Sequence, residues 1–214
     1  MQEVALVDYG SGNLRSAEKA LQWACRAARG ARRVATTADP ERIARADRIV
    51  LPGVGAFRAC MLALQERAGV LEALEVASRR RGAPFLGICV GMQLMASRGR
   101  EFDETRGFDW ISGEVRRLAP EDRRCKTPHM GWNALEPAGE PPLLRGLPSH
   151  VDMYFTHSYA FFPDEPGDVA AWTEHGGRFP AAVLRDNLAG VQFHPEKSQR
   201  AGLALLTNFL EWRP

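Results

Sequence analysis

Over the first ninety or so residues, short apolar runs alternate with longer segments whose apolar positions recur at helical spacing. Residues 4–7, Val-Ala-Leu-Val, form a buried-strand run that stops at Asp8 and a Gly-Ser-Gly turn. From 13 to about 29, Leu14, Ala17, Leu21, Ala24 and Cys25 lie on one helical face, and Gly30 ends the helix. Residues 33–36 predict a second strand, and Asp39-Pro40 is an N-cap and first-turn pair for a short helix. A third strand at 48–51 runs into Pro52-Gly53, helices are predicted over 57–67 and 70–80, and a fourth strand spans 84–88. A further helix starts near Val90. This alternation predicts parallel βαβ units, in which ligands sit beyond the carboxyl ends of the strands. The loops after Val7, Leu51 and Ile88 are therefore the ones to watch.

The second half is richer in extended segments: 115–118, 130–135, 153–159, 169–172, 181–184 and 190–193. Asp186-Asn187 predicts a hairpin between the last two, the Pro-rich stretch 136–142 a connecting loop, and 199–212 a final helix. The fold class is mixed α/β, a mostly parallel sheet with antiparallel additions, read as a single domain over residues 1–214.

Composition narrows the function classes. Apolar residues are 45% and charged residues 25%, proportions of a folded globular protein and not of a disordered chain. A net charge of +2 is too balanced for a dedicated nucleic-acid binder. No apolar stretch reaches the length of a membrane span, and the N-terminus has none of the parts of a signal peptide. Cys25, Cys60, Cys89 and Cys125 are scattered without a CxxC pair, so free thiols in a reducing cytoplasm are expected. Histidines and cysteines have no metal-ligand spacing, and no metal or cofactor is expected.

The sharpest chemical feature is Gly87-Ile88-Cys89-Val90-Gly91, a nucleophile between glycines at a strand-to-helix junction. Glycine is needed where the strained turn passes close to neighbouring backbone, and a helix N-terminus beyond it favours a thiolate. Taken alone, a packing cysteine between incidental glycines is an equal reading. A thiolate needs a base and the base an orienter. His194 ends the run Gly190-Val191-Gln192-Phe193, and Glu196 follows at i+2 across Pro195, on the same face if the chain stays extended. A His-Pro turn with a solvated glutamate is the bland alternative, but beside a cysteine elbow the triad Cys89–His194–Glu196 is the better reading. Leu51-Pro52-Gly53-Val54-Gly55 ends another strand, where a backbone N–H could meet an oxyanion.

These motifs resemble those of the class I, triad-type glutamine amidotransferases. Further stretches narrow the resemblance to the glutaminase subunits of imidazole glycerol phosphate synthases, enzymes of histidine biosynthesis. They are Val7-Asp8-Tyr9-Gly10-Ser11-Gly12-Asn13-Leu14, Lys126-Thr127-Pro128-His129-Met130-Gly131-Trp132-Asn133, Tyr154-Phe155-Thr156-His157-Ser158-Tyr159 and Gln192-Phe193-His194-Pro195-Glu196-Lys197-Ser198. The likeness runs in order along nearly the whole chain. It implies a flavodoxin-like amidotransferase fold and hydrolysis of L-glutamine through a cysteinyl thioester. By the resemblance Cys89 is the nucleophile, His194 the general acid and base, and Glu196 its orienter. Gly53, Val54 and Val90 would form the oxyanion hole. Gln93, Ser158 and Tyr159 would hold the substrate, and Asn13 and Lys197 would face a partner. Val90 stands where leucine is more usual, which leaves its backbone N–H in place.

The resemblance also implies that partner: a (β/α)8-barrel cyclase forming a heterodimer, which receives ammonia and makes imidazole glycerol phosphate and aminoimidazole carboxamide ribotide. Low activity in isolation is implied too, explicable if the Gly53-Val54 peptide rests with its carbonyl in the site and flips on partner binding. Other readings are a glutaminase for a different acceptor and a non-catalytic module of the same fold. No nucleic-acid or membrane partner is expected. Gly10-Ser11-Gly12-Asn13-Leu14-Arg15 lacks the third glycine of a dinucleotide loop, and no Gly-Lys-Ser/Thr follows Gly55. Arg79-Arg80-Arg81 and Arg123-Arg124 are read as solvated charge, and His129, His157 and Trp132 as packing residues.

Overall fold

The computed structural model describes residues 1–122 and 124–214, and Arg123 lies outside the described residues. The first half forms β1 (Gln2–Val7), α1 (Leu14–Ala27), β2 (Arg32–Thr37), α2 (Pro40–Arg45), β3 (Arg48–Gly53), α3 (Phe57–Glu66), α4 (Val70–Glu75) and β4 (Phe85–Cys89). Val4 to Val7 and all six residues of β3 are buried, as continuous apolar strands covered on both faces must be. Asp39 accepts the Glu41 N–H at 3.0 Å, which is the N-cap its sequence predicts. The helix predicted over 70–80 is only partly α-helical: after Glu75 it widens into a π turn over Val76–Arg80.

α5 (Val90–Gln93) is a single turn, shorter than expected for the helix at Val90. Tertiary structure ends it. Phe108, Asp109 and Trp110 donate their backbone N–H groups to the carbonyls of Leu94, Ala96 and Met95, which a continuing helix would have used for itself.

The second half supplies β5 (Arg98–Glu101), β6 (Asp103–Arg106), β7 (Gly113–Arg117), β8 (His129–Ala134), β9 (Glu136–Pro137), β10 (Asp152–His157), β11 (Tyr159–Pro163), β12 (Val169–Glu174), β13 (Arg178–Arg185), β14 (Leu188–Val191) and α6 (Gln199–Glu211). The central sheet has the order β2-β1-β3-β4-β14-β13-β12-β9, with a second sheet β11-β7-β5-β6 and the pair β10-β8. β2, β1, β3, β4 and β14 are parallel, and β13, β12 and β9 continue antiparallel.

Three readings of the second half need correction. The run 153–159 is two strands broken at Ser158, because β10 pairs with β8 whereas β11 crosses to β7. Glu136-Pro137, expected in a loop, forms a short edge strand against β12. The β5–β6 hairpin escapes the pattern because it is charged and nearly all polar, with Phe102 exposed at its tip. The Asp186-Asn187 hairpin is as expected: Arg185 and Leu188 pair across it, and Asp186 takes a φ of 51°.

This topology positions one edge. β4 lies between β3 and β14, with Gly53 opposite Cys89 and Val191 opposite Ile88. The carboxyl ends of three neighbouring strands therefore deliver the Gly53-Val54 loop, Cys89 and the segment carrying His194 to one place. No helix among the described residues is long and apolar enough to cross a membrane.

Candidate active site

Cys89 ends β4 with φ 54° and ψ −111°, a conformation that costs an L-residue on the order of 1–3 kcal/mol. Packing enforces it. A Cβ on Gly91 would overlap the Leu51 carbonyl oxygen, and one on Gly87 would lie 2.5 Å from the Gly91 oxygen. The two glycines of the elbow are thus required by backbone contact, and the thiol is presented at the floor of a pocket. The cavity of about 290 Å³ is lined by Val54, Cys89, Val90, Gln93, Ser158, Tyr159, His194 and Lys197, with Glu101 and His157 also on its wall.

His194 and Glu196 are brought together, but not along an extended strand. Pro195–Lys197 is a 3-10 turn, started by the fixed φ of Pro195. Ser198 anchors it: its hydroxyl donates to the His194 carbonyl at 2.7 Å and accepts the Tyr154 N–H at 3.0 Å. The turn folds Glu196 back so that His194 Nδ1 donates to Oε1 at 2.8 Å, with both side chains buried. Burial alone would push the His194 ring down, but Cys89 and Glu196 on either side overcome it and push it up to about 9. On the side away from Glu196, Nε2 is buried and closes no hydrogen bond in this conformation. The arrangement suits an imidazolium between a sulfur and a carboxylate.

Val90 opens α5, where its N–H has no intrahelical acceptor. Val54 is placed differently from the oxyanion reading: its N–H donates to Ser11 Oγ at 3.1 Å, and its carbonyl accepts from the same hydroxyl at 2.8 Å. In this conformation the Val54 N–H is taken up by Ser11. Asn13 is exposed at the start of α1 without a side-chain cap bond, and Lys197 is exposed with Nζ 5.7 Å from the Tyr154 ring centre. Trp132 is not a packing residue: it is 48% exposed, edge-on to Tyr154. Arg124 pairs with Asp122 and Arg80 with Glu72 at the surface.

A family profile described as Glutamine amidotransferase class-I matches residues 5–212. The imidazole glycerol phosphate synthase subunit HisH of Caulobacter vibrioides is 55% identical over 214 residues, all of both chains. That of Rhodopseudomonas palustris is 50% identical over 99% of each. The chain belongs to the class I glutamine amidotransferases, in the HisH family. A crystal structure of a glutamine amidotransferase, 18% identical, superposes over 97% of both chains with a TM-score of 0.69, a likeness of fold.

Within this amidotransferase pocket, two residues were not legible from spacing. Glu101 closes β5, the strand missed in the sequence, and one of its oxygens accepts the Phe57 N–H at 2.8 Å. Gln192 lies fully buried behind Cys89. Period-2 alternation does not reach it, because β14 ends at Val191 and residues 192 and 193 are bends.

His129 and His157 form a buried hydrogen-bonded pair, Nδ1 to Nε2 at 3.2 Å, and His157 Nδ1 donates to the Tyr159 carbonyl at 2.8 Å. Burial, with neighbouring His175, pushes His129 down to about 4. Burial pushes His157 down to about 3, against the pull of the Tyr159 carbonyl. Both rings are neutral in the fold and protonate near 6.5 when unfolded, so below 6.5 the unfolded chain binds more protons. Stability must therefore fall as pH falls. His194 adds no slope there, because below 6.5 its ring is protonated in both states. Urea midpoints measured from pH 6.5 to 5 should drop, on the order of 1–2 kcal/mol per pH unit in stability, and His157→Gln should flatten the slope. A pH-independent midpoint over that window would contradict the neutral pair.

Proposed function

We propose that this chain hydrolyses L-glutamine to glutamate and ammonia, with Cys89, His194 and Glu196 as its catalytic residues. The observation that carries the reading is His194, oriented by a buried carboxylate at 2.8 Å and set beside a cysteine on a strained elbow. The Cys89 thiolate attacks the side-chain carboxamide carbon, forming the C–S bond and an oxyanion. His194 gives its proton to the amide nitrogen, the C–N bond breaks and ammonia leaves. A water then attacks the thioester, His194 takes its proton, and the C–S bond breaks to release glutamate and return the proton to the Cys89–His194 pair. The Val90 N–H, and a reoriented Val54 N–H, stabilise the oxyanion of each step. Gln93, Ser158 and Tyr159 hold the substrate, and the Glu101 carboxylate suits its α-ammonium group.

Free ammonia is mostly protonated in neutral water and is then no nucleophile, so the acceptor site must adjoin this one. The partner in this reading is a (β/α)8-barrel cyclase, docked over the pocket mouth as a heterodimer. Half-exposed Trp132 stands edge-on to Tyr154, exposed Lys197 lies over the same ring, and exposed Met130 is two residues from Trp132 on β8. Asn13 lies on the same sheet edge, where α1 packs against the Pro195–Lys197 turn. In the resting chain the Ser11 hydroxyl holds the Val54 N–H, and partner binding releases it.

A glutamine-mimicking electrophile should label Cys89 alone, L-glutamine should protect it, and Cys89→Ala should abolish labelling in intact-mass spectra. Labelling of Cys25, Cys60 or Cys125 with Cys89 untouched would refute the assignment. Ser11→Ala should raise the glutaminase rate of the chain alone, on the order of tenfold. An unchanged unstimulated rate would show that Ser11 restrains nothing.

A further inference from the structure

Gln192 is fully buried between β14 and His194. Its Nε2 donates to Cys89 Sγ at 3.6 Å, and its Oε1 accepts from Gln93 Nε2 at 3.0 Å. Gln93 Nε2 also donates to the Tyr159 carbonyl at 2.9 Å. These contacts fix which end of the Gln192 amide faces the sulfur. The reverse orientation would set two NH2 groups against each other and leave the Tyr159 carbonyl as the sole acceptor of both Gln93 hydrogens. A donor thus points at Cys89 from inside the sheet.

The sulfur needs such a donor here. A long helix beyond an elbow favours a thiolate through its summed dipole, but α5 is one turn, so little of that field is present. His194 and Gln192, two residues apart where the chain leaves β14, both address the sulfur. Gln93 locks the amide from behind, and its own bond to the Tyr159 carbonyl is independent of that amide.

We propose that Gln192 is a positioning residue for Cys89: its amide N–H fixes the sulfur on the elbow and favours the thiolate. The proposal rests on the glutaminase reading for its consequence in turnover, but not for its chemistry at the thiol. The test is the pH dependence of Cys89 alkylation by iodoacetamide in the full chain, followed at the Cys89 peptide by mass spectrometry. This readout needs neither glutamine nor a partner, so it stands even if no glutaminase activity is found. Gln192→Met keeps the length of the side chain and removes the donor. Its alkylation profile should move to higher pH by about one unit, with kcat down about tenfold and KM nearly unchanged. Should Gln192→Met fail to fold by thermal melt, Gln192→Asn keeps a buried amide and withdraws it by one methylene, with the same shift expected. A folded variant whose profile superposes on the wild type, or whose loss lies in KM with kcat retained, would overturn the proposal.

Discussion

Gly91 meets the Leu51 carbonyl backbone to backbone, and the active edge of the sheet is built on that contact. It brings the turn after β4 down onto the end of β3, where no side chain could fit. With the turn held there, Cys89 is forced into its left-handed conformation, and the strain of order 1–3 kcal/mol is borne by burial of the strands beneath. Gly53 then lies opposite Cys89 in register, so the loop that leaves β3 starts beside the cysteine.

The third component arrives by topology. The Asp186-Asn187 hairpin reverses β13 into β14, which lies parallel to β4 on the side away from β3. Residues leaving β14 therefore emerge beside Cys89: Gln192 behind the sulfur, His194 beside it, and Glu196 folded back by the proline turn. Both ends of the His194 ring meet groups that favour its protonated form, whereas His129 and His157, packed among aromatic rings, are held neutral. The same residue type is thus sorted into chemistry and structure by its partners.

The parallel half of the fold was legible because its strands are buried and read as plain apolar runs, and the elbow at Cys89 and the turn after His194 were legible because such turns need glycine and proline. His194 and Glu196 meet across a turn, not along the extended chain that their i, i+2 spacing suggests. β5 and β6 carry charge on most positions, so Glu101 on the pocket wall was hidden with them. Ser158 sits where one apparent strand changes sheets, a choice made by long-range pairing that no local pattern records. The role of Ser11 is equally non-local, since its partner Val54 is 43 residues away.

In the proposed mechanism one donor, the Val54 N–H, is turned onto Ser11 in the chain alone. The measurement that tests this most directly is glutaminase turnover of the purified chain, alone and with the cyclase subunit and its nucleotide ligand. The account predicts a low rate alone and strong stimulation in the complex, on the order of 10²-fold for one recovered oxyanion donor, all of it lost in Cys89→Ala. A rate that ignores the cyclase, or that survives Cys89→Ala, would contradict it.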